Sequence, residues 1–335
     1  MKLLITGGTG FFGKAILRHL MQKYRTQSPL LATQVTVLSR TPANFIARNP
    51  EFANQKWLSL HRGDVGIPDS LPNDTNFTHI LHAAADSTDT SALTHLQRYD
   101  QIVEGTRNLL KLALKVGAKR FLLTSSGGAY GPQPPESSCI PETYLGMPDP
   151  LNANNVYGVA KRQAEHLCAL YREQYGVGTI IARCFAFIGE DLPLDVHFAI
   201  GNFIRDALWN EEIVVAGDGT PLRSYLAQQD LAHWLLTLLE SGESGRAYNV
   251  GSDKAISIAQ LAHLVRDIIS PNKPVRILGK VDETKSRNRY IPDIKRARDE
   301  LGLDITIPLE DAIQAVAVSA SSRKNCGKLS HRIIY

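Results

Sequence analysis

The sequence predicts an α/β protein, a Rossmann-like doubly wound parallel sheet with a smaller α/β C-terminal lobe that binds substrate. Short apolar runs without alternation, which suit strands covered by helices on both faces, are separated by longer segments with apolar residues every three or four positions. A glycine cluster directly after the first apolar run indicates a dinucleotide-binding turn. The 335 residues allow two domains, and 43% hydrophobic with 21% charged residues is ordinary for a globular protein.

The alternating pattern gives the order of elements in the first half of the chain. Strands are expected at Lys2–Ile5, Gln34–Leu38, Trp57–Leu60, His79–Leu81, Arg120–Leu123 and Gly178–Ala182. Helices are expected at Phe12–Tyr24, Leu93–Val116 and Asn155–Tyr175. The proline-rich stretch Gly131–Pro150 has no helical period, so it is expected to be a long loop.

After about residue 185 the pattern changes to helices with only brief strands near Val214, Asn249 and Ile277. The helices are expected at Ile200–Trp209, Gln229–Glu240, Ile258–Ile268, Ile294–Leu301 and Leu309–Val318. We therefore expect a dinucleotide-binding domain at 1–184, to which 224–250 return, and a region at 185–318 that mainly forms the substrate lobe. Residues 319–335 are expected to be a basic, flexible tail.

The basic character of the chain belongs to this tail. The sequence pI of about 8.8 raises nucleic-acid binding as an alternative. The tail contains four basic and no acidic residues, and the rest of the chain carries 33 of each sign: the four are Arg323, Lys324, Lys328 and Arg332. We therefore expect no nucleic-acid partner.

The cysteines and the hydropathy pattern exclude several further classes. The four cysteines lie too far apart for C-x-x-C metal or redox spacing, and no metal site is expected. No apolar stretch reaches the roughly 18 residues of a membrane span. These features predict a cytoplasmic protein with reduced thiols and no membrane partner.

The glycine cluster runs from Gly7 to Gly13, between a predicted strand and a predicted helix. In that context glycines allow a tight turn, and backbone N–H groups at the helix N-terminus can meet a pyrophosphate. The residues expected to contact a dinucleotide here are Gly7, Gly10, Phe11, Phe12 and Gly13.

The second predicted strand ends in Ser39 and Arg40, where an acid that would hold an NAD ribose is missing. A hydroxyl and a guanidinium suit a 2′-phosphate, so the cofactor is expected to be NAD(P), with NADP favoured over NAD. Arg40 as an ordinary solvated arginine is the alternative.

Further cofactor contacts are expected at two other strand ends. Asp64, followed by Val65, could accept a hydrogen bond from an adenine amino group, although a plain turn aspartate is the alternative. The small residues after the fourth strand would let the backbone approach a cofactor: these are Ala83, Ala84 and Ala85, with Asp86 following as a substrate contact. His82 itself is better interpreted as a packing histidine than as a catalyst.

Tyr157 and Lys161 form the pair on which the predicted chemistry depends. Positions i and i+4 share one helix face, so the ammonium can lie near the phenol, and a nearby cation favours the phenolate. Tyr157 then becomes usable as an acid or base near neutral pH. The pair follows a strand end with the residues Thr124-Ser125-Ser126-Gly127-Gly128, which adds specificity to a spacing that is weak alone.

With these motifs in this order, the chain resembles the extended short-chain dehydrogenase/reductase family, in its NAD(P)-dependent nucleotide-sugar epimerase/dehydratase branch. The resemblance covers nearly the whole chain to about Val318. It implies that Ser126 hydrogen-bonds the reacting sugar oxygen and that Tyr157 exchanges its proton. It also implies that Lys161 holds the nicotinamide ribose and tunes Tyr157, and that Thr124 borders the cofactor.

The resemblance also assigns substrate contacts in the C-terminal lobe. The segment Ala216–Tyr225 resembles the family signature whose arginine contacts the nucleotide diphosphate, a role that falls to Arg223, with a surface arginine as the alternative. Arg287 and Arg289 both lie where a second such arginine is common, and the spacing does not choose between them. Asp230 is interpreted as a helix N-terminal acid rather than a catalyst.

Departures from the family pattern bear on the reaction. The family's 4,6-dehydratases and acid decarboxylases carry acidic residues just after the serine or threonine, where this chain has Gly127 and Gly128. Ala186 and Ile102 each replace a common asparagine, which leaves the sugar nucleotide open.

The resulting hypothesis is an oxidoreductase or epimerase acting on a nucleotide-linked hexose, at C4, by hydride transfer with Tyr157 as acid and base. A 4-epimerase and a 4-keto-sugar reductase both fit. The alternatives are a 4,6-dehydratase, a reductase of a non-sugar ketone, and a non-catalytic dinucleotide sensor. The resemblance further implies a homodimer through helices Leu93–Val116 and Asn155–Tyr175.

Overall fold

The computed structural model describes residues 1–26, 33–73, 76–85, 93–196, 198–282, 284 and 286–330. In these residues a seven-stranded parallel sheet has the order β11-β6-β5-β4-β1-β2-β3. Its strands are β1 (Lys2–Thr6), β2 (Gln34–Ser39), β3 (Leu58–Arg62), β4 (His79–His82), β5 (Arg120–Ser126), β6 (Gly178–Cys184) and, after four short strands, β11 (Ala247–Val250). The chain order reverses beside β1, as in a doubly wound fold, and this confirms the predicted fold class.

Helices cover both faces of this sheet because its strands are apolar on both. The consecutive strand residues Leu3 and Leu4 point to opposite faces of the sheet, and each is fully buried in a different apolar cluster. One face packs on α1 (Phe11–Thr26) and α6 (Gln228–Ser241), and the other packs on α3 (His95–Val116) and α4 (Val156–Tyr175). The helix α2 (Pro42–Arg48), which follows β2, was not predicted.

The C-terminal lobe has its own apolar core between short strands and helices. Its strands are β7 (Phe187–Ile188), β8 (Ile213–Val215), β9 (Leu222–Arg223), β10 (Leu226–Ala227), β12 (Ile256–Ser257), β13 (Val275–Ile277) and β14 (Arg289–Tyr290). Its helices are α5 (Ala199–Trp209), α7 (Ile258–Ile269) and α9 (Leu309–Ser330), while α8 (Lys295–Leu301) packs near β11. These strands join in three small sheets, β10-β7, β12-β9-β14 and β13-β8.

Two predicted elements after residue 185, the strand near Asn249 and the helix at Leu309–Val318, can be compared with the structure. The strand expected near Asn249 is present as β11, which lies at the edge of the large sheet beside β6. The last helix was predicted to end at Val318, but α9 continues to Ser330. Residues 319–326 contain neither proline nor glycine, so the start of the expected tail can extend the helix. The domain division itself stays a prediction.

The long segment 131–150 contains no helix, and its only regular pairing is a bridge between Ile140 and Pro292. This confirms the predicted loop, which connects β5 to α4 across the carboxyl edge of the sheet. Within the described residues, no helix combines the length and the apolar character that crossing a membrane requires.

Candidate functional site

The glycine turn lies at the carboxyl end of β1 and leads directly into α1. Gly7 has a φ of +71°, and a Cβ there would lie 2.4 Å from the carbonyl oxygen of Ala83. A Cβ on Gly13 would lie 2.1 Å from the Cα of Gly8, so the turn packs on the helix with no room for side chains. The amide of Gly10 donates to the Gly7 carbonyl (3.0 Å).

This turn fits a dinucleotide pyrophosphate. The first N–H groups of a helix have no partner within the helix, and α1 has no acidic residue in its first turn that would repel an anion. The predicted contacts Gly10, Phe11 and Phe12 all lie at this N-terminus. A Cβ on Gly10 would meet only the Gly7 carbonyl oxygen, at 3.4 Å, so the turn is open at Gly10 to a close approach by phosphate oxygens.

The predicted ribose and adenine residues lie along the same sheet edge. Ser39 is buried and its hydroxyl accepts a hydrogen bond from the Thr41 amide (3.2 Å), whereas Arg40 is exposed. The Asp64 carboxylate accepts a hydrogen bond from the Gly66 amide (2.8 Å), so it closes a turn while staying partly exposed.

Val65 and the alanines lie next to them at this edge. Val65 is buried, and its carbonyl accepts a hydrogen bond from the Asn108 side chain (3.0 Å). The three alanines that follow β4 in the chain, Ala83, Ala84 and Ala85, are half-buried. Asp86, the next predicted contact, lies outside the described residues. The strand ends therefore bring the predicted cofactor residues to one edge, and their individual roles remain predictions.

His82 is a structural residue, as the sequence interpretation favoured. Its Nδ1 lies 2.7 Å from the hydroxyl of Thr6 and its Nε2 lies 3.2 Å from the hydroxyl of Thr106. Burial lowers the pKa of His82 to about 3, with a smaller effect from Lys161. The imidazole is therefore neutral and ties β4 to β1 and α3.

Lys161 lies on α4 with its ammonium against the end of β5. It is 4% exposed, and its Nζ donates to the carbonyl of Thr124 (2.7 Å). The same Nζ lies 5.7 Å from the ring centroid of Tyr157, one helical turn away, as the spacing predicted. Burial lowers the pKa of Lys161 to about 8. The ammonium is therefore buried between the end of β5 and the ring of Tyr157.

A polar network fixes α4 against β5 and β6. Glu165, one turn beyond Lys161, accepts a hydrogen bond from the hydroxyl of Ser125 (2.5 Å) and forms an ion pair with Arg183 (2.6 Å). The Arg183 guanidinium lies over the ring of Tyr130 at 4.5 Å. Because Ser125 lies between Thr124 and Ser126, this network sets the register between the strand end and the helix that carries Tyr157.

Ser126 ends β5 and faces a tyrosine that the sequence analysis did not single out. Its hydroxyl accepts a hydrogen bond from the Gly128 amide (3.0 Å) and lies 3.5 Å from the hydroxyl of Tyr290. The Tyr290 ring packs on Phe185, with centroids 4.6 Å apart. Burial raises the pKa of Tyr290 to about 12, so its phenol stays protonated.

Gly127 has no space for a side chain in this arrangement. A Cβ there would lie 2.7 Å from the Tyr290 hydroxyl and 2.8 Å from the Phe185 ring. A Cβ on Gly128 would lie 3.3 Å from the Ser126 hydroxyl. The position after Ser126 is thus closed to a carboxylate unless Tyr290 and Phe185 move.

The predicted substrate arginines differ in their surroundings. Arg223 on β9 is half-buried, and β9 pairs in parallel with β14, which places Arg223 level with Tyr290. Arg289 is half-buried beside Leu222, and Arg287 is exposed before β14 begins. The structure therefore places Arg223 on the same face of the small sheet as Tyr290, next to Ser126. Arg289 pairs with Leu222 and belongs to the opposite face, and Arg287 lies at the rim.

Comparison with known proteins adds an independent observation to this geometry. The family model described as "NAD dependent epimerase/dehydratase family" matches residues 3–251. The chain belongs to this family. It is also 29% identical, over 319 residues, to UDP-glucuronic acid decarboxylase 3 of Arabidopsis thaliana, covering 93% of this chain and 87% of the relative.

Two solved structures of nucleotide-sugar enzymes share the fold. UDP-glucose 4-epimerase of Thermotoga maritima, solved with UDP-glucose, has a TM-score of 0.81 at 21% identity, covering 97% of this chain and all of the other. The dTDP-glucose 4,6-dehydratase of Streptomyces venezuelae, solved with NAD and TYD, has a TM-score of 0.82 at 22% identity, covering 97% and 98%. The protein is thus an enzyme of the NAD-dependent epimerase/dehydratase family with the family's fold.

Three other residues noted in the sequence, Ile102, Ala186 and Asp230, contribute to packing and backbone hydrogen bonding. Ile102, in place of a common asparagine, belongs to α3 and is fully buried in the core on that side of the large sheet. The Ala186 carbonyl accepts a hydrogen bond from the Leu226 amide (3.1 Å), so that position supports the β7–β10 region. The buried Asp230 carboxylate accepts hydrogen bonds from the amides of Thr306 (3.0 Å) and Ile307 (3.1 Å), which is a structural role.

Tyr290 could not be found from the sequence because its partners are distant in the chain. A tyrosine two residues before a proline has no distinguishing pattern. Only the pairing of β14 with β9, together with the contact to Phe185 after β6, brings it to Ser126.

Proposed function

We propose that this protein acts at C4 of a nucleotide-linked hexose, as an NAD(P)-dependent 4-epimerase or 4-keto-sugar reductase. One observation carries the proposal. Ser126, Tyr157 and Lys161 are all present at the carboxyl edge, but the place directly after Ser126 is filled by the Tyr290 hydroxyl and the Phe185 ring instead of a carboxylate. The site can therefore support proton exchange at a sugar hydroxyl without an added acid or base for elimination.

In this mechanism the residues act on one hydroxyl group. The buried ammonium of Lys161 favours the phenolate of Tyr157, which takes the proton of the C4 hydroxyl as the carbon is oxidised and returns it on reduction. Ser126 donates a hydrogen bond to the same oxygen. The dinucleotide, when bound, supplies the hydride acceptor and donor for the sugar carbon.

Binding is expected to divide between the two lobes. The turn from Gly7 to Gly13 would hold the dinucleotide pyrophosphate through its backbone, while Arg223, on the face of the small sheet that carries Tyr290, would hold the diphosphate of the sugar nucleotide. The ligands named for the two structural neighbours, UDP-glucose in one and NAD in the other, support a sugar nucleotide and a dinucleotide as the two kinds of ligand.

Decarboxylation of UDP-glucuronic acid is a second candidate, favoured by the 29% identity to the Arabidopsis enzyme over 93% of this chain. It also needs oxidation at C4, so the roles of Tyr157 and Lys161 would be shared. What separates the two candidates is the missing acid after Ser126, which decarboxylases and dehydratases of the family carry.

A panel of sugar nucleotides tests these candidates directly. Purified enzyme with NAD or NADP is incubated with UDP-glucose, UDP-glucuronic acid and dTDP-glucose, and enzyme with NADH or NADPH is incubated with their 4-keto forms. The sugar products are separated by chromatography. We expect a C4 epimer or a reduced 4-keto sugar with the carbon count unchanged. Release of CO₂ with a pentose product would instead establish the decarboxylase.

The cofactor preference is a separate proposal, in which NADP binds better than NAD. The absence of an acid at the end of β2 and the exposed Arg40 support it, because a guanidinium attracts a 2′-phosphate and a carboxylate would repel it. We expect Arg40→Ala to weaken NADP binding about tenfold and NAD binding less than twofold. Equal affinities for the two dinucleotides before and after the substitution would refute the preference.

A homodimer through α3 and α4 remains part of the proposal. The two helices pack on each other and expose apolar side chains, with Leu170 44% and Tyr175 51% exposed. Analytical ultracentrifugation is expected to give twice the chain mass, and charged substitutions at both positions are expected to give the monomer.

A further inference from the structure

Gln228, the first residue of α6, contacts the dinucleotide-binding turn from outside the motif. We propose that Gln228 is a positioning residue for the cofactor pyrophosphate, acting through the Phe11–Phe12 peptide. The proposal rests on the proposed use of the glycine turn to bind a dinucleotide. It assigns a role at this turn to a side chain that belongs to the distant segment joining the two lobes.

The location of Gln228 follows from the pairing of β7 with β10. The two strands are parallel, with Ala227 level with Ile188, so the next residues, Gln228 and Gly189, leave the small sheet side by side. A Cβ on Gly189 would lie 2.2 Å from the Cβ of Gln228. Glycine at 189 therefore provides the space in which the Gln228 side chain turns toward α1.

Both ends of the Gln228 amide are used. Its Nε2 donates to the carbonyl of Phe11 (2.9 Å) and to the carboxylate of Asp191 (2.8 Å), and its Oε1 accepts from the Asp191 amide (3.3 Å). The residue is 3% exposed. A buried amide with its donors and acceptor satisfied is held in a single orientation.

Asp191 is in turn fixed by two cations of α1. Its side chain is 3% exposed and forms ion pairs with Lys14 (2.7 Å) and Arg18. Burial by itself raises the pKa of Asp191, but the hydrogen bonds from Arg18 and Lys14 outweigh it and hold the pKa below its usual range. The carboxylate therefore stays ionised and anchors Gln228 against α1.

The contact with Phe11 matters because a peptide unit is planar. A hydrogen bond that holds the Phe11 carbonyl on one side also sets the direction of the Phe12 N–H on the other. That N–H is among the first helix donors without a partner inside the helix, and it belongs to the turn that fits the pyrophosphate. The Phe12 ring packs edge-on against Phe187 of β7 (5.2 Å), which ties the same turn to the same small sheet.

Ligands with and without a pyrophosphate test this role by direct binding, independent of any turnover. Affinities for ADP-ribose and for AMP are measured by isothermal titration calorimetry with the full-length enzyme. We expect Gln228→Leu to weaken ADP-ribose binding about fivefold, the value of one ordinary hydrogen bond, and AMP binding less than twofold. Gln229→Leu, which removes the exposed glutamine next to it, is the matched control and should change neither affinity.

If Gln228 has a purely structural role, Gln228→Leu should lower the melting temperature. It should then weaken the binding of ADP-ribose and AMP equally, or leave both affinities unchanged, and either result overturns the proposal. If Gln228→Leu does not fold, Gln228→Met keeps the length of the side chain and removes the donor to Phe11 without adding a charge beside Asp191, and the same selective loss is expected. If the unsubstituted enzyme binds neither ADP-ribose nor NAD, the proposed function itself fails. Normal ADP-ribose binding in both variants would refute only the role of Gln228.

Discussion

Two regions to which we assign proposed roles are built differently. One is the catalytic corner, formed by Ser126, Tyr157 and Lys161, and the other is the arginine strip on β9 and β14, which carries Arg223 and Arg289. The corner is formed by the seven-residue strand β5 and the twenty-residue helix α4, and Lys161 is only 4% exposed. The strip consists of two-residue strands, with Arg223 and Arg289 half-buried. In the proposed mechanism, proton transfer would be positioned by long regular elements, whereas binding of the substrate diphosphate would depend on a small sheet.

Tyr157→Phe tests the catalytic corner and should have the largest effect. Removing the hydroxyl leaves no group to exchange the C4 proton, so we expect kcat to fall about a thousandfold. Dinucleotide affinity should change little, which calorimetry can check. Tyr175→Phe, on the same helix and 51% exposed, is the control and should keep full activity. Activity that survives Tyr157→Phe would show that the corner is not where the chemistry occurs.

Arg223→Ala tests the arginine strip. If its guanidinium binds a substrate diphosphate, KM for the sugar nucleotide should rise about 10- to 100-fold with a smaller change in kcat. Arg287→Ala removes an exposed guanidinium at the rim and should raise KM less than threefold. Equal effects of the two substitutions would contradict the difference in burial on which this assignment depends.

The pH dependence of activity tests whether the Lys161 ammonium acts on Tyr157. Because burial lowers the pKa of Lys161 to about 8, the ammonium loses its proton, and its effect on the phenol, as the pH rises through that value. We expect kcat/KM to decline above about pH 8. In Lys161→Arg the side chain stays charged, so any activity retained should not show this decline.

Activity should fall as the pH rises above 8, but the folding stability that depends on Lys161 should increase. The pKa of a lysine is near 10.5 when unfolded and about 8 here, so the unfolded state binds more protons between these values. The burial penalty is therefore fully present below pH 8 and disappears as the pH approaches 10.5. A melting-temperature difference between wild type and Lys161→Met that does not change over this range would contradict the burial of the ammonium.

Gly127→Ala tests the closed space beside Ser126 and should have the smallest effect. Its methyl group would meet the Tyr290 hydroxyl and the Phe185 ring, and we expect a loss of about 1–3 kcal/mol in the free energy of unfolding. Gly217→Ala, where a Cβ meets nothing within 4 Å, is the control. Chemical denaturation measures both. A neutral Gly127→Ala would mean that this position can accept a side chain after all.

Local patterns in the sequence were sufficient for the large sheet and for the catalytic pair. The strand runs, the helical period and the Gly7–Gly13 turn depend on residues close together in the chain, and the spacing of Tyr157 and Lys161 is set by one helical turn. The unalternating apolar strands also predicted a sheet covered on both faces. The family resemblance added the roles of these residues.

Tertiary structure decided the contacts between residues that are far apart in the chain. Tyr290 reaches Ser126 only because β14 pairs with β9, and Gln228 reaches Phe11 only because β7 and β10 leave their small sheet together. Two-residue strands have no periodicity to detect, and a lone tyrosine or glutamine carries no signal of its own. The sequence by itself determined the scaffold and the pairing of Tyr157 with Lys161 on one helix face, because these follow from local geometry. The surroundings that limit the chemistry depend on long-range packing.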